Sequence, residues 1–249
     1  MILSDQVTEL DMPYFHELAK RVCDGLNACG FIHCPGDAMA MNEKWCQPYS
    51  VWQQYFADWI EKPEPMALML SSIIFDLRPV HGDLSLHKKL QNNILEHTVN
   101  NSLFIAHMVS NALSHKPPIG FFRTFVLIHD GEHDNTLDIK HRGIVPITDL
   151  VRMRALEGGV QYANTFRRLE AVAELGIMNE SDASSLRDAL VLINRIRLQH
   201  QAEQMSAGQK PSNFVPPDEL SPLMRRNLKA AFMLVVEAQN ALAHRYQVH

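Results

Sequence analysis

An acidic and a basic residue follow a short apolar run in the segment 71–83. Side chains alternate between the two faces of a strand, so a strand here would bury Phe75 and Leu77. Asp76 and Arg78 would then lie together on the other face. A carboxylate at the end of a buried strand is a typical metal ligand in enzymes that transfer phosphoryl groups. An ion pair that simply ends the strand would give the same pattern, and residue types alone favour this plainer interpretation.

Arg197 and His200 continue the apolar stripe of a predicted helix that runs from Ser181 to Met205. A buried guanidinium is costly unless it is paired. Arg197 could therefore pair with a carboxylate among the helices, for which Asp138 and Asp149 are candidates. Alternatively, Arg197 and His200 could line a pocket for an anionic substrate or nucleotide, because arginine binds phosphate with two donors. The residues alone leave both interpretations open.

Two further positions are candidates for substrate binding, each with a plainer alternative. Asp138 and Lys140 would share one face of a strand, where an ion pair is the simpler interpretation. Arg168, beside Arg167 near the start of a predicted helix, could contact a phosphate or could simply be solvated.

Metal binding by histidine or cysteine is weakly supported. His129 and His133 would lie in a hairpin loop and not on the shared helical face that makes paired histidines good ligands. The cysteines have no Cys-x-x-Cys spacing, so we expect reduced thiols rather than a zinc site; they are Cys23, Cys29, Cys34 and Cys46.

The remaining pattern predicts the elements that position these residues. Helical spacing of apolar residues predicts helices over 13–26, 52–59, 83–117, 145–156, 164–175, 181–205 and 222–245. Alternating patterns predict strands at 31–34 and 71–77, and a hairpin of 121–128 with 136–140 around a turn at Asp130. Residues 208–217 are the predicted mobile loop. Residues 1–84 are therefore predicted as an α/β domain and residues 85–249 as a mostly helical domain with an inserted β-hairpin.

Several stretches carry a family resemblance in one order along nearly the whole chain. They are Cys34–Trp45, Ser71–Asp83, Leu137–Lys140 with Gly143–Ile147, Asn164–Leu169 and Leu192–Gln201. Together they resemble the bacterial nucleotidyltransferases found behind CBS and cyclic-nucleotide-binding domains, which are relatives of the PII uridylyltransferase. The resemblance implies an α+β fold, with a truncated nucleotidyltransferase core followed by a helical substrate-binding domain.

The same resemblance implies a reaction and roles for particular residues. An Mg²⁺-dependent enzyme would transfer a nucleoside monophosphate from an NTP to a protein or small-molecule acceptor by in-line displacement. Asp76 would be catalytic and a metal ligand, and Arg78 would contact phosphate or hold Asp76 in place. Arg197 and His200 would face the acceptor.

The catalytic motif of that family, a Gly-Ser turn followed by Asp-x-Asp, does not occur in the 249 residues. Before Asp76, the one acid-x-acid pair is Glu9 with Asp11, which follows no glycine turn. We therefore expect residues 1–5 to be the tail of the Asp-x-Asp strand. The chain would then be an inactive fragment of a signal-transduction enzyme, lacking two of three metal carboxylates. The alternative is a non-enzymatic signalling module that binds a ligand or a partner.

The composition of the chain limits the classes of partner and the cellular compartment that we expect for it. The net charge of −5 argues against a general nucleic-acid-binding protein, which needs a basic surface. The apolar runs are shorter than the ~20 residues that span a bilayer. No basic segment followed by an apolar one opens the sequence, so we expect a cytoplasmic protein without membrane contact. Homodimer formation is left open.

Overall fold

Most residues are helical in the computed structural model, which describes residues 1–99, 101–129 and 131–248. The chain forms two units, one of Met1–Ala67 with Leu77–His97 and the other of Leu68–Asp76 with Thr98–His249. A mostly helical chain with short strands is consistent with the α+β class. The arrangement as a nucleotidyltransferase core with a helical bundle, and the boundary between residues 84 and 85, stay predictions.

The first unit combines one small parallel sheet with an aromatic cluster. Strand β1 (Ile2–Leu3) pairs in parallel with β2 (Gln47–Pro48). Helices α1 (Met12–Ala28) and α2 (Tyr49–Glu61) belong to this unit, together with most of α4 (Leu84–Thr98). Trp52 and Phe56 on α2 are buried and pack their rings 6.5 Å apart. The aromatic helix predicted from Trp52 to Trp59 is therefore confirmed as part of a core.

The second unit is built from helices and one short antiparallel sheet. Its helices are most of α3 (Pro65–Ile74), then α5 (Ser102–Ala112), α6 (Val145–Glu157), α7 (Thr165–Glu174), α8 (Glu180–Ser206) and α9 (Pro222–Tyr246). Strand β3 (Leu137–Asp138) pairs with β4 (Phe214–Val215). The four helices predicted from α6 to α9 are confirmed within one or two residues. Ser221 accepts a hydrogen bond from the Met224 amide, as expected of an N-cap.

The strand predicted at 71–77 is wrong. Helix α3 covers these residues as far as Ile74, and the Phe75 amide still donates to the Ser71 carbonyl at 2.9 Å. A short apolar run fits a buried helix as well as a strand, so its periodicity cannot decide between them. Asp76 therefore follows the end of a helix, and the strand face that it was predicted to share with Arg78 does not exist.

The predicted hairpin of 121–128 with 136–140 is wrong for most of its length. Leu137 and Asp138 pair with β4, which lies in the segment predicted to be a mobile loop. The predicted arms do meet at one end, where the Ile128 amide donates to the Thr136 carbonyl and the Asn135 amide donates to the Ile128 carbonyl, both at 2.9 Å. The rest of 121–128 contributes an isolated bridge between Ile119 and Phe125. Asp130, predicted as the turn, lies outside the described residues. The short strand predicted at 31–34 is absent, and those residues are exposed.

The single helix predicted over 83–117 is divided into α4 and α5. Helix α5 has its own N-cap, because the side chain of Asn101 accepts a hydrogen bond from the Phe104 amide. Among the described residues, no helix combines the length and the apolar character that crossing a membrane requires.

Helix α7 depends on its N-cap for a precise start. The Asn164 side chain accepts hydrogen bonds from the amides of Phe166 and Arg167. We predict that Asn164→Ala lowers the unfolding free energy by about 1 kcal/mol because these amides lose their acceptor. Asn164→Asp should keep the stability, since aspartate also caps helices. Urea unfolding followed by circular dichroism measures both changes, and equal stability of the Ala and wild-type chains would contradict this role.

Candidate functional site

The carboxylate of Asp76 holds two arginines of the second unit. Arg152 on α6 donates from Nη2 to Oδ2 at 2.6 Å and from Nε to Oδ1 at 3.3 Å. Arg168 on α7 places Nη1 2.6 Å from Oδ1. A single carboxylate after α3 therefore links three helices. We call Asp76, Arg152, Arg168 and Asp149 the charge cluster.

Arg152 has a second anionic partner on its own helix. Its Nη1 lies 2.5 Å from Oδ1 of Asp149, three residues earlier on α6. Residues three apart lie on the same face of a helix, which is why this pair forms. The other carboxylate oxygen of Asp149 lies 3.8 Å from Nδ1 of His115.

The cluster is shielded from water on the side of the arginines. The side chains of Arg152 and Arg168 are 9% and 5% exposed, whereas that of Asp76 is 33% exposed. Burial by itself would raise the pKa of Asp76, but the hydrogen bonds and charges of the two arginines lower it below its ordinary value. Burial raises the pKa of Asp149 despite its contact with Arg152. Burial likewise lowers the pKa of Arg168.

This geometry does not fit a magnesium ligand at Asp76. Both carboxylate oxygens already accept hydrogen bonds from guanidinium groups, so a divalent cation would approach against two positive charges. Within residues 1–99, 101–129 and 131–248, no group of three or more His, Cys, Asp or Glu side chains could hold a metal ion. Arg78 is exposed and belongs to the first unit, whereas Asp76 belongs to the second.

A separate cleft of about 500 Å³ lies between α8 and the segment that contains β4. Its polar lining residues include Glu132, His133, Thr136, His200, Glu203, Gln204, Lys210, Ser212 and Glu219. We call this cavity the polar cleft. One wall is fixed by the rings of His133 and Phe214, which stack with centroids 3.5 Å apart.

His200 on α8 is one of the residues that line the polar cleft. Its side chain is 11% exposed, its Nδ1 lies 4.0 Å from Oε2 of Glu219, and its buried Nε2 has no partner among the described residues. Buried polar atoms are nearly always hydrogen-bonded, so the imidazole of His200 keeps hydrogen-bonding capacity that the described residues do not use. Sequence reasoning named His200, and the structure gives it a cavity.

The other predicted substrate-binding residues are dispersed. Arg197 is half-buried and its Nε has no partner, but it does not line the polar cleft. Of the two interpretations left open for Arg197, a pairing with Asp138 or Asp149 is not formed among the described residues, where Asp138 contacts His141 and Asp149 contacts Arg152. Asp138 accepts from the Lys140 and His141 amides and contacts the His141 ring at 2.8 Å. The predicted side-chain pairing of Asp138 with Lys140 is therefore wrong as well.

Sequence reasoning missed Arg152 as a partner of Asp76. The two residues are 76 positions apart, and no local pattern connects them. One signal was available, because Asp149 and Arg152 have the i, i+3 spacing of a helical ion pair. Arg168, which sequence reasoning considered as solvated or as a phosphate contact, is instead buried against Asp76.

Two family profiles match the chain. Residues 102–246 match a domain described as "Putative nucleotidyltransferase substrate binding domain", and residues 1–66 match one described as "Putative nucleotidyltransferase DUF294". The polar cleft and both arginines of the charge cluster lie inside the first range, whereas Asp76 lies between the two. The searches found no matching curated protein and no matching solved structure.

The charge cluster makes a prediction about stability and pH. Asp76→Asn should lower the unfolding free energy at pH 7 by about 3 kcal/mol, because it leaves two buried guanidiniums short of an anion. The pKa of Asp76 is lowered on folding, so its stabilisation is present above the ordinary carboxyl pKa and is lost as pH falls through the folded-state value.

The difference between wild type and Asp76→Asn should therefore shrink under acid. Urea unfolding at a series of pH values measures this difference. Asp188→Asn, at an exposed position on α8, is the matched control and should stay within about 0.5 kcal/mol of wild type. A difference for Asp76→Asn that stays constant from neutral to acid pH would contradict the prediction.

Proposed function

The chain belongs to this putative nucleotidyltransferase family, and from that premise we propose that its helical unit binds the acceptor of a nucleotidyl transfer in the polar cleft. The observation that carries the proposal is a cavity of about 500 Å³ lined mostly by polar side chains, among them His200, whose Nε2 has no hydrogen-bond partner among the described residues. Sites for small molecules are concave and carry a few convergent polar groups. The cleft also lies within the residues matched by the substrate-binding profile.

The charges of the cleft favour one class of acceptor. The carboxylates of Glu132, Glu203 and Glu219 line it, against the single ammonium group of Lys210. An anionic ligand or the triphosphate of a nucleotide would be repelled, whereas an amine would be attracted. The imidazole of His200 and the hydroxyls of Thr136 and Ser212, which line the cleft, suit a ligand hydroxyl. We therefore replace the anionic substrate suggested for His200 with a hydroxylated amine.

The transfer itself would use an NTP and Mg²⁺ and would form part of a signalling response. The residues around Asp76 do not fit the metal, so we assign acceptor binding and not phosphoryl chemistry to the described residues. A binding module without catalysis is the second candidate. It is favoured by the lack of a Gly-Ser turn with Asp-x-Asp in the sequence and by the engagement of Asp76 with two arginines.

We predict that the 249-residue chain alone transfers no nucleotide, because charge developing on the phosphates would lack the carboxylate-held metal that stabilises it. The measurement is incubation with labelled ATP or UTP, Mg²⁺ or Mn²⁺ and a cell extract. Metal-dependent labelling of any component that disappears in Asp76→Ala would contradict the prediction and restore a catalytic role for this residue.

A second prediction tests the acceptor site directly. Glucosamine or ethanolamine should bind the chain, and His200→Ala should weaken binding of the better ligand by about ten-fold, the effect of losing ~1.4 kcal/mol of hydrogen bonding. Isothermal titration calorimetry measures the affinity. Arg195→Ala, at an exposed position on the same helix, is the control and should bind normally. Tighter binding of glucose 6-phosphate than of either amine would overturn the assigned ligand class.

A further inference from the structure

The charge cluster has the form of a filled binding site. We propose that Arg152 and Arg168 form a site for a phosphate group, and that the carboxylate of Asp76 occupies this site in the structure. The proposal concerns α6 and α7 and is independent of the polar cleft.

The hydrogen-bond count favours phosphate over carboxylate as the best ligand. Arg152 engages both oxygens of Asp76 with its Nε and Nη2. Arg168 is left to share Oδ1 through Nη1, and its Nε is buried without a partner among the described residues. A carboxylate has two oxygens, whereas a phosphate monoester has three terminal oxygens. Phosphate could therefore satisfy the planar forks of both arginines at once.

The partial exposure of Asp76 makes the charge cluster accessible to a ligand. The guanidiniums are almost fully shielded, and the carboxylate that covers them is one-third exposed. Solvent therefore reaches the cluster through Asp76, which is the group that a ligand would displace. Once displaced, the Asp76 carboxylate would regain hydration, so its release costs less than that of a fully buried anion.

The charge balance is also right for an anion. Without Asp76, the guanidinium of Arg152 would keep the carboxylate of Asp149, which has His115 beside it, and that of Arg168 would lose the one anion it contacts among the described residues. The net positive charge that remains is suited to a phosphate group. Burial favours the neutral form of Asp149, which would leave still more positive charge for the ligand.

The position of Asp76 in the chain gives the exchange a structural consequence. Asp76 is the last residue of the segment Leu68–Asp76, after which the chain enters the first unit. Replacement of its carboxylate by phosphate would release this end of the segment from α6 and α7. Phosphate binding would thus be coupled to the freedom of the residues after α3.

The test measures binding of inorganic phosphate at constant ionic strength, with potassium chloride as the reference salt. Asp76→Ala should bind phosphate about ten-fold or more tightly than wild type, because removal of the internal carboxylate leaves more of the protein competent to bind. Calorimetry gives the affinity, and the thermal midpoint of Asp76→Ala should rise with phosphate. Added Arg168→Ala should abolish the effect, and added Arg167→Ala should not, since Arg167 is exposed and contacts Glu170.

Acetate separates phosphate binding from simple replacement of a lost carboxylate. If acetate stabilises Asp76→Ala as much as phosphate does, the arginines only need a carboxylate and the proposal is wrong. If Asp76→Ala does not fold, phosphate binding is compared instead between the wild-type chain and Arg168→Lys. This substitution keeps the positive charge but removes the planar pair of guanidinium donors. Two results would overturn the proposal. One is phosphate binding that neither Arg168→Lys nor Arg167→Lys changes, and the other is no phosphate binding in any folded variant.

Discussion

Two guanidinium groups buried among α6 and α7 impose the main constraint on the second unit. Each needs an anion because water cannot reach it, and both find one in Asp76. The carboxylate comes from the end of α3, so pairing the charges also fixes where this helix ends against the other two. Burial of Phe75 and Phe104, whose rings meet edge to face at 6.0 Å, reinforces the same junction.

The polar cleft depends on a different set of interactions, which order a segment rich in turn residues. Gln204 on α8 bonds both the amide and the hydroxyl of Ser212, at 2.7 and 3.1 Å. Gln201 bonds Asn213, and the Ile139 amide donates to the carbonyl of the same residue. These bonds hold β4 against β3, which places Phe214 under His133. A wall of the cleft is thus built from residues that look mobile in isolation.

Local patterns predicted most helices, because helical periodicity and N-caps are encoded within a few turns of sequence. The Ser221 cap and the inward position of His200 follow from such patterns. The 71–77 segment could not be assigned, because the short apolar run Ile73–Phe75 can be buried in a helix as well as in a strand. The pairing of Asp76 with Arg152 could not be predicted either, because a contact between residues far apart in the sequence produces no local periodic pattern.

The two candidate sites differ in a way that follows from how each is neutralised. In the charge cluster, the two guanidinium groups are buried more deeply than the Asp76 carboxylate that pairs with them. A competing anion would therefore meet positive charge once Asp76 is displaced. In the polar cleft, three carboxylates stand beside one lysine among the lining residues, so the proposed ligand there is a cation. One helical unit therefore offers two electrostatically opposite environments. A phosphate group and an aminated acceptor would each be excluded from the other's site without any steric selection.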